Sequence, residues 1–438
     1  MKIYPKIGIQ IPEILLPVES IPLAKWSVVA CDQYTSQPEY WDQVEAFTTG
    51  TPSTYNLILP EAYLGKPKEK THQAKIENAM SHFFKNGIFK TVTGMIYIER
   101  NFGSKVRNGL IAALDLERYD FSKNSTSLIR ATEGTIVDRL PPRIRIREKA
   151  LLEIPHIMVL IDDPDFSVIE PLSEVTAKLK KVYNFNLMMD GGTLKGFLID
   201  DTEVETQVIK SIYSLLEKNH KKYAFQTENA PILFAVGDGN HSLATAKSIW
   251  ESIKAEVGPD HPARYALAEI VNIHNHGIVF EPIHRLIKGF QGEILLELST
   301  FFNNKINLEK FLDFNAMVKS VSTSDPESQK FGIFWENEYW TVDILKPQHT
   351  LAIGSLQLFL DKLIMHHPDV ALDYIHGEET LHNLGRQPMS AGFYLPTMEK
   401  SSLFESVIMD GPLPRKTFSM GEAHEKRFYL ECRKIQVN

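Results

Sequence analysis

The stretch ILFAVGDGNHSLATAKSIW, residues 232–250, constrains the fold more than any other part of the sequence. Its first five residues are all apolar, which is typical of a buried β-strand. Apolar residues then recur at intervals of three and four from Leu243 to Val257, which predicts a helix that begins near Ser242 and buries one face. The sequence therefore predicts a strand, a glycine-flanked corner and a helix in direct succession.

This corner is a candidate phosphate site. The first turn of a helix has unpaired N–H groups and a partial positive charge, and glycine before it lets a ligand approach the backbone closely. Asp238 would hold Mg²⁺ or accept a proton, and His241 would donate to a phosphoryl oxygen. The segment does not have the lysine and spacing of a P-loop.

An ordinary turn explains the same residues. Gly237 and Gly239 would then reverse the chain, Asn240 or Ser242 would cap the helix, and Asp238 would be solvated. The residues by themselves leave both interpretations open.

A second motif, LIRATEGTIVDRLPPR, combines Arg130, Glu133 and Arg139. Arginines bind phosphate or carboxylate when they converge, and Glu133 could act as a general base for a hydroxyl group. The alternative is a surface loop with ordinary ion pairs.

The segment NIHNHGIVFEPIHRL is a candidate metal site. His274 and His276 are two residues apart, so in a strand they would face the same side, and His284 would be a third ligand. The alternative is a set of polar turn residues beside a strand.

Three further residues are weaker candidates. Cys31, in VVACDQY, could be a nucleophile because Asp32 and Tyr34 follow it at a strand end, but no histidine is tied to it in sequence, which favours a buried structural cysteine. Arg415 and Lys416, in GPLPRKTFSM, could contact a phosphate from a loop or could be solvated charges.

Composition narrows the class of protein. The formal net charge of −8 argues against a general nucleic-acid binder. Two cysteines are too few for a disulfide framework and indicate a reducing compartment. No apolar stretch approaches the roughly 20 residues of a membrane span, so we expect a cytoplasmic protein without a membrane segment.

Alternating helix and strand patterns predict an α/β fold with mixed sheets and helices. We expect an N-terminal α/β region over residues 1–155, a central region over 156–290 that contains the corner, and a C-terminal α+β region over 291–438.

Several segments together resemble a bacterial and archaeal family, domain of unknown function 1015. These segments are VVACDQY, RATEGTIVDR, VGDGNHSLATA, EPIHRL, LDYIHG, AGFYLPT and PLPRKTFS. Where the family has Asp-Gly-His-His-Arg at the corner, Asp238, Gly239 and His241 match, and Asn240 and Ser242 differ. In the second motif Arg130, Glu133 and Thr135 match the family pattern.

The corner is also similar to that of the ParB/sulfiredoxin-like superfamily, some members of which bind nucleotide phosphates at this loop. Among them are free-serine kinases, in which a separate glutamate is the proposed base. This resemblance implies a ParB/sulfiredoxin-like central region and a nucleotide, ATP or ADP with Mg²⁺, at the corner.

The combined hypothesis is a small-molecule kinase that transfers phosphoryl to a hydroxyl compound, such as a hydroxy amino acid. Its predicted catalytic residues are Glu133, Asp238 and His241, with Asp238 on Mg²⁺. Its predicted nucleotide- or phosphate-binding residues are Gly237, Gly239, Asn240, Ser242, Arg130 and Lys416. Its expected partners are a nucleotide and a small-molecule substrate. The alternatives are a nucleotide-binding regulatory protein without kinase activity and a metal-dependent hydrolase that uses His274 and His276.

Overall fold

The computed structural model describes residues 2–135, 140–224, 232–323 and 329–437. The chain divides into two units, of which unit 1 comprises Met1–Ile278 and Gly421–Asn438 and unit 2 comprises Val279–Met420. The C-terminal segment therefore returns to the unit that contains the N-terminus. The division at residues 155 and 290 remains a prediction, and the main sheet of unit 1 takes strands from both sides of residue 155.

The described strands, in chain order, are β1 (Ile3–Tyr4), β2 (Ile9–Gln10), β3 (Glu13–Pro17), β4 (Val28–Val29), β5 (Phe89–Thr93), β6 (Met95–Phe102), β7 (Lys105–Asp115), β8 (Tyr119–Asp120), β9 (Ile129–Ala131), β10 (Leu152–Glu153), β11 (Met158–Ile161), β12 (Lys180–Asn186), β13 (Thr193–Ile199), β14 (Phe234–Asp238), β15 (Tyr265–Asn272), β16 (Phe280–Lys288), β17 (Ile306–Phe311), β18 (Gln329–Trp335), β19 (Glu338–Ile344), β20 (Ala371–His376), β21 (Ser390–Tyr394), β22 (Phe418–Met420), β23 (Phe428–Tyr429) and β24 (Arg433–Lys434).

The described helices are α1 (Leu23–Trp26), α2 (Pro38–Thr48), α3 (Lys68–Lys85), α4 (Leu140–Arg147), α5 (Leu172–Val175), α6 (Thr202–Tyr223), α7 (Asn240–Val257), α8 (Ile294–Phe301), α9 (Phe314–Ser322), α10 (Ala352–His366), α11 (Glu378–Gly385) and α12 (Ser402–Asp410).

The main sheet of unit 1 runs in the order β12-β13-β6-β7-β15-β11-β14-β9-β8, with β2 paired to β7 and β1 to β2. Most of its neighbours are antiparallel, but β11 is parallel to β15 and β9 is parallel to both β14 and β8. This combination of mixed sheets with helices confirms the predicted α/β class.

Helix α6 covers part of this sheet with the apolar face that its sequence pattern predicts. The residues on that face, Val208, Ile212, Leu215 and Leu216, are all buried in one core cluster. Strand β14 lies in the same core, because its apolar residues are buried against both neighbouring strands and the helices.

Unit 2 is built on a seven-stranded sheet, whose main path is β17-β19-β18-β21-β16-β20 with β22 paired to β16. The pattern KFGIFWENEYWTVDIL predicts a strand-turn-strand hairpin, which β18 and β19 form. The pattern over residues 293–321 predicts helical pieces, and α8 and α9 are two such helices, but the stretch between them is not helical. Asn303 and Asn304 adopt left-handed backbone angles after α8, and the next residues form the edge strand β17.

Among the described residues, no helix combines the length and the apolar character that a membrane crossing requires.

Candidate functional site

The corner forms between β14 and α7. Gly239 is the residue that joins them, with a left-handed backbone (φ +78°, ψ 26°), and its N–H donates to Asp238 Oδ1 at 2.9 Å. A Cβ atom at this position would lie 3.0 Å from the Cα of Ile157. Both the backbone angle and the available space therefore require glycine. The predicted succession of strand, turn and helix is confirmed.

Helix α7 begins at Asn240, two residues before the predicted start. No described side chain caps it, so the expectation that Asn240 or Ser242 is the cap is wrong. Asn240 is instead the first helical residue, and its Nδ2 donates back to Val236 O at 3.3 Å. Its buried Oδ1 has no hydrogen-bond partner among the described residues. The N–H groups of the first turn therefore lack a capping side chain.

Asp238 is not a solvated turn residue, which corrects the simple-turn interpretation. Its Oδ2 lies 3.4 Å from Lys426 Nζ, and the two side chains are only 17% and 11% exposed. Lys426 belongs to the C-terminal segment Gly421–Asn438 of unit 1. The corner thus combines a carboxylate, a lysine and the positive end of a helix.

A buried ion network holds the neighbour of Lys426 in place. Arg427 contacts Glu269 at 2.7 Å and Glu431 at 2.6 Å, and Arg107 contacts Glu269 at 3.2 Å. Burial alone would raise the pKa of Glu269, but the two arginines lower it below its ordinary value. The carboxylate is therefore ionised, and the network fixes the C-terminal segment to β15 and β7.

The parallel pairing of β9 with β14 brings the second motif to the same end of the sheet. Ala131 pairs with Val236, and Thr132 Oγ1 donates to Val236 O at 2.5 Å. Glu133 and Asp238 each lie two residues beyond this pair. Adjacent strands are about 4.8 Å apart, so the segment that carries Glu133 leaves the sheet beside the end of β14. Glu133 is half-buried.

Arg130, on β9, is almost completely buried. Its Nε donates to Ser127 O at 2.9 Å, and burial lowers its pKa. Arg139 lies outside the described residues.

Asp32 and His156 form an acid–base pair that the sequence patterns do not indicate. His156 Nε2 lies 3.8 Å from Asp32 Oδ2. Burial alone would raise the pKa of Asp32, but His156, Gln33 and Lys426 lower it below its ordinary value. Lys426 therefore acts electrostatically on Asp32 as well as on Asp238. Asp32 and His156 thus lie near the corner.

Tyr429 lies between Cys31 and His156. Its hydroxyl accepts from Cys31 N–H at 3.2 Å and lies 2.9 Å from His156 Nδ1. Burial raises the pKa of Tyr429, so the phenol keeps its proton. The other ring nitrogen of His156, Nε2, is the one that faces Asp32.

Glu61 and Arg143 form a further ion pair, and Glu61 interacts electrostatically with Asp32. Burial raises the pKa of Glu61, Arg143 opposes this change, and Asp32 reinforces it. Arg143 lies on α4, which packs against α7.

Comparison with known protein families shows the family of this chain. A family model described as "Protein of unknown function (DUF1015)" matches residues 15–363. The chain belongs to the DUF1015 family. No curated protein matches it.

Solved structures share a distant similarity with this DUF1015 protein. A free serine kinase mutant in complex with AMP gives a TM-score of 0.38 at 10% identity, covering 76% of this chain and 94% of its own. A conserved hypothetical protein from Pyrococcus furiosus gives 0.36 at 9% identity, covering 77% and 98%. SbnI with a C-terminal truncation, from Staphylococcus aureus, gives 0.33 at 10% identity, covering 75% and 86%.

The remaining predicted corner residues lie on both sides of Gly239. Gly237 is the last residue but one of β14, and His241 and Ser242 are half-buried in the first turn of α7. The carbonyl of His241 accepts from Thr245 Oγ1 at 2.7 Å, as expected within a helix.

The histidine pair does not form a metal site in the described part of the DUF1015 structure. His274 and His276 lie in turns after β15 rather than in a strand. His274 Nε2 contacts Asp162 Oδ1 at 2.7 Å, whereas His276 stacks on Phe166. His284 belongs to unit 2. The described residues contain no group of three or more potential metal ligands.

The remaining sequence candidates are Cys31 and the adjacent residues Arg415 and Lys416. Cys31 is a free, half-buried thiol, and burial, together with Asp32 and Glu61, raises its pKa. A thiol that stays protonated is unsuited to nucleophilic attack. Arg415 and Lys416 belong to unit 2.

Proposed function

We propose that the corner binds the phosphates of a nucleotide, ATP or ADP, and transfers a phosphoryl group to a small hydroxyl compound such as a hydroxy amino acid. One observation carries this proposal. Lys426 pairs with Asp238 at the uncapped N-terminus of α7, and β9, which ends two residues before Glu133, pairs in parallel with β14, which ends at Asp238.

Phosphate recognition follows from the charges of this arrangement. The N–H groups of the first turn of α7 and the ammonium group of Lys426 would contact phosphate oxygens. The backbone at Gly237 and Gly239 allows close approach, and Asn240, His241 and Ser242 supply polar groups on the same turn. Arg130 would contribute positive charge from the adjacent strand.

Asp238 also fits a magnesium ion. Mg²⁺ is usually held by one or two carboxylates together with phosphate oxygens and water, and Asp238 supplies one carboxylate at the mouth of the helix. When bound, the ion would offset the charge of the phosphates. Lys426 would then shift from Asp238 Oδ2 toward the phosphate oxygens.

Glu133 would take the proton of the acceptor hydroxyl. The hydroxyl oxygen forms a bond to the terminal phosphorus, the bond from phosphorus to the bridging oxygen breaks, and the shortened nucleotide leaves. Helix N–H groups and Lys426 stabilise the charge that accumulates on the leaving oxygen. Asp32 and His156 would orient the acceptor by hydrogen bonds.

The test uses purified full-length protein with ATP or ADP, Mg²⁺ and a panel of hydroxy amino acids that includes serine. We expect a rise in melting temperature with nucleotide and a phosphorylated acceptor detectable by ³¹P NMR. Asp238→Asn should lose both. The absence of both signals in the unmodified protein would contradict the proposal. Nucleotide binding without any phosphorylated product would favour a regulatory switch protein.

A further inference from the structure

Unit 2 concentrates three cationic side chains on one aromatic ring, well apart in sequence from the corner. Tyr374, on β20, has Arg285 Cζ 4.6 Å, Arg415 Cζ 5.0 Å and Lys416 Nζ 5.3 Å from its ring centroid. Arg285 lies directly opposite Tyr374 in the pairing of β16 with β20. A cation–π contact usually joins one cation to one ring, so three cationic groups around Tyr374 are an unusual concentration of positive charge.

Arg285 organises the loop that carries the other two cations. It is completely buried. Its Nη1 donates to Lys416 O at 3.0 Å, its Nη2 donates to Arg415 O at 3.1 Å, and its Nε donates to Gln357 Oε1 at 2.9 Å. The two bonds to backbone carbonyls fix the loop that carries Arg415 and Lys416.

The loop itself is held in a constrained conformation. Lys416 has a left-handed backbone (φ 54°), which costs a lysine about 1 kcal/mol or more. Thr417 Oγ1 donates to Pro414 O at 2.6 Å and closes the turn. The constrained turn directs the adjacent side chains of Arg415 and Lys416 to the same ring.

The polar groups of this cluster match an oxyanion. Arg415 Nη2 donates to the Tyr374 hydroxyl at 3.1 Å, so the phenol can donate its own hydrogen to a ligand. Arginine offers a planar fork, lysine a point charge and tyrosine a hydroxyl donor, and phosphate has enough oxygens to accept from all three. Arg415 is half-buried and Lys416 is exposed, so a ligand can reach both.

We propose that Arg415, Lys416 and Tyr374, supported by Arg285, form a second anion site that binds the phosphate group of a small phosphorylated molecule. This site goes beyond the proposed function, since it consists of unit 2 residues and does not depend on chemistry at the corner.

The test measures protection of Lys416 from acetylation in the full-length protein. The protein is treated with acetic anhydride in inorganic phosphate or in chloride of equal ionic strength, and modification of each lysine is followed by mass spectrometry. We expect phosphate to slow modification of Lys416 at least about threefold. Lys362 is the internal control, because it is also exposed and lies over a ring, Phe301, at 5.5 Å.

Two variants establish whether the protection depends on this cluster. Arg415→Ala should abolish it, and Tyr374→Phe, which removes only the hydroxyl and is the milder change, should reduce it. Equal rates for Lys416 in phosphate and chloride would overturn the proposal, as would protection unchanged in both variants. Because the measurement is local to Lys416, it is independent of nucleotide binding at the corner.

Discussion

Lys426 Nζ lies 3.4 Å from Asp238 Oδ2, although Lys426 follows the last strand of unit 2 in the chain and Asp238 ends β14. Both side chains are largely buried, so this ion pair is less screened by solvent than a surface pair. The same lysine lowers the pKa of Asp32. Lys426 is therefore the cation shared by the two carboxylates of the candidate site.

Replacing Lys426 should weaken nucleotide binding. Lys426→Met keeps most of the side-chain volume and removes the charge that would contact phosphate. We expect the dissociation constant for ATP or ADP to rise at least about tenfold by calorimetry. Lys434→Met is the matched control, because Lys434 is exposed in the same C-terminal segment and lies over the ring of Phe84. Unchanged affinity in the Lys426 variant would remove this residue from the site.

Replacing Glu133 should separate binding from transfer. Glu133→Gln keeps the shape of the side chain but cannot take a proton. We expect kcat for phosphoryl transfer to fall about 100-fold or more, with nucleotide affinity nearly unchanged. Glu174→Gln, at an exposed position at the start of α5, should have no effect. Full activity in the Glu133 variant would mean that another group, such as Asp32, acts as the base.

The corner should not tolerate a side chain at Gly239. Gly239→Ala would force alanine into a left-handed conformation and push its Cβ against the backbone of Ile157. We expect a loss of about 2–4 kcal/mol in the free energy of unfolding, measured with urea. Gly87→Ala has a positive φ but open space around the added Cβ, so it should cost only about 1 kcal/mol. Equal losses would mean that Ile157 does not restrict the corner.

The buried network should be sensitive to loss of its central carboxylate. Glu269→Gln would leave Arg107 and Arg427 buried without their shared negative charge. We expect a loss of about 3–5 kcal/mol in the free energy of unfolding. Glu99→Gln removes the partly exposed pair with Lys195 and should cost less than about 1 kcal/mol. Similar small losses for both variants would show that the network does not hold the C-terminal segment.

Unit 2 should lose stability in mild acid because of His284. Burial lowers the pKa of His284 to about 4, and Arg285 and His376 act in the same direction. The unfolded chain has an ordinary histidine pKa near 6.5, so below this pH the unfolded state binds more protons. Stability from neutral His284 is thus present above about pH 6.5 and is lost as the pH falls toward 4.

The expected loss from this one group is about 2 kcal/mol between pH 7 and pH 5. His284→Gln should reduce the pH dependence of urea unfolding by that amount. His366→Gln, at an exposed position at the end of α10, should retain the full dependence. A pH dependence that is identical in the two variants would contradict the assignment.

The local parts of the site were predictable and the convergent parts were not. The strand, corner and helix could be predicted because apolar periodicity and glycine act over a few residues. The predicted start of α7 is two residues late because Gly239, which has no side chain, occupies the position before the helix where a capping side chain is expected. The described residues do not form the candidate histidine metal site, because β15 ends at Asn272, before both histidines, and His274 contacts Asp162.

Lys426, Asp32 and His156 come to the corner from three distant segments of the chain. In VVACDQY the residue types single out Cys31 rather than Asp32, and no pattern distinguishes Lys426 from other basic residues. Their placement depends on sheet order and on the buried network around Glu269. Such long-range pairing has no local signature in a single sequence.

The return of residues 421–438 to unit 1 has a consequence for synthesis of the protein. The ribosome produces residues 1–278 first, then the whole of unit 2, and only afterwards the segment with Lys426 and Arg427. Until that segment emerges, Glu269 has only Arg107 of its two arginines, and Asp238 lacks its lysine. Contacts between such distant parts of a chain form late in folding. The ion pair between Lys426 and Asp238 at the corner can therefore form only after residues 421–438 have been translated.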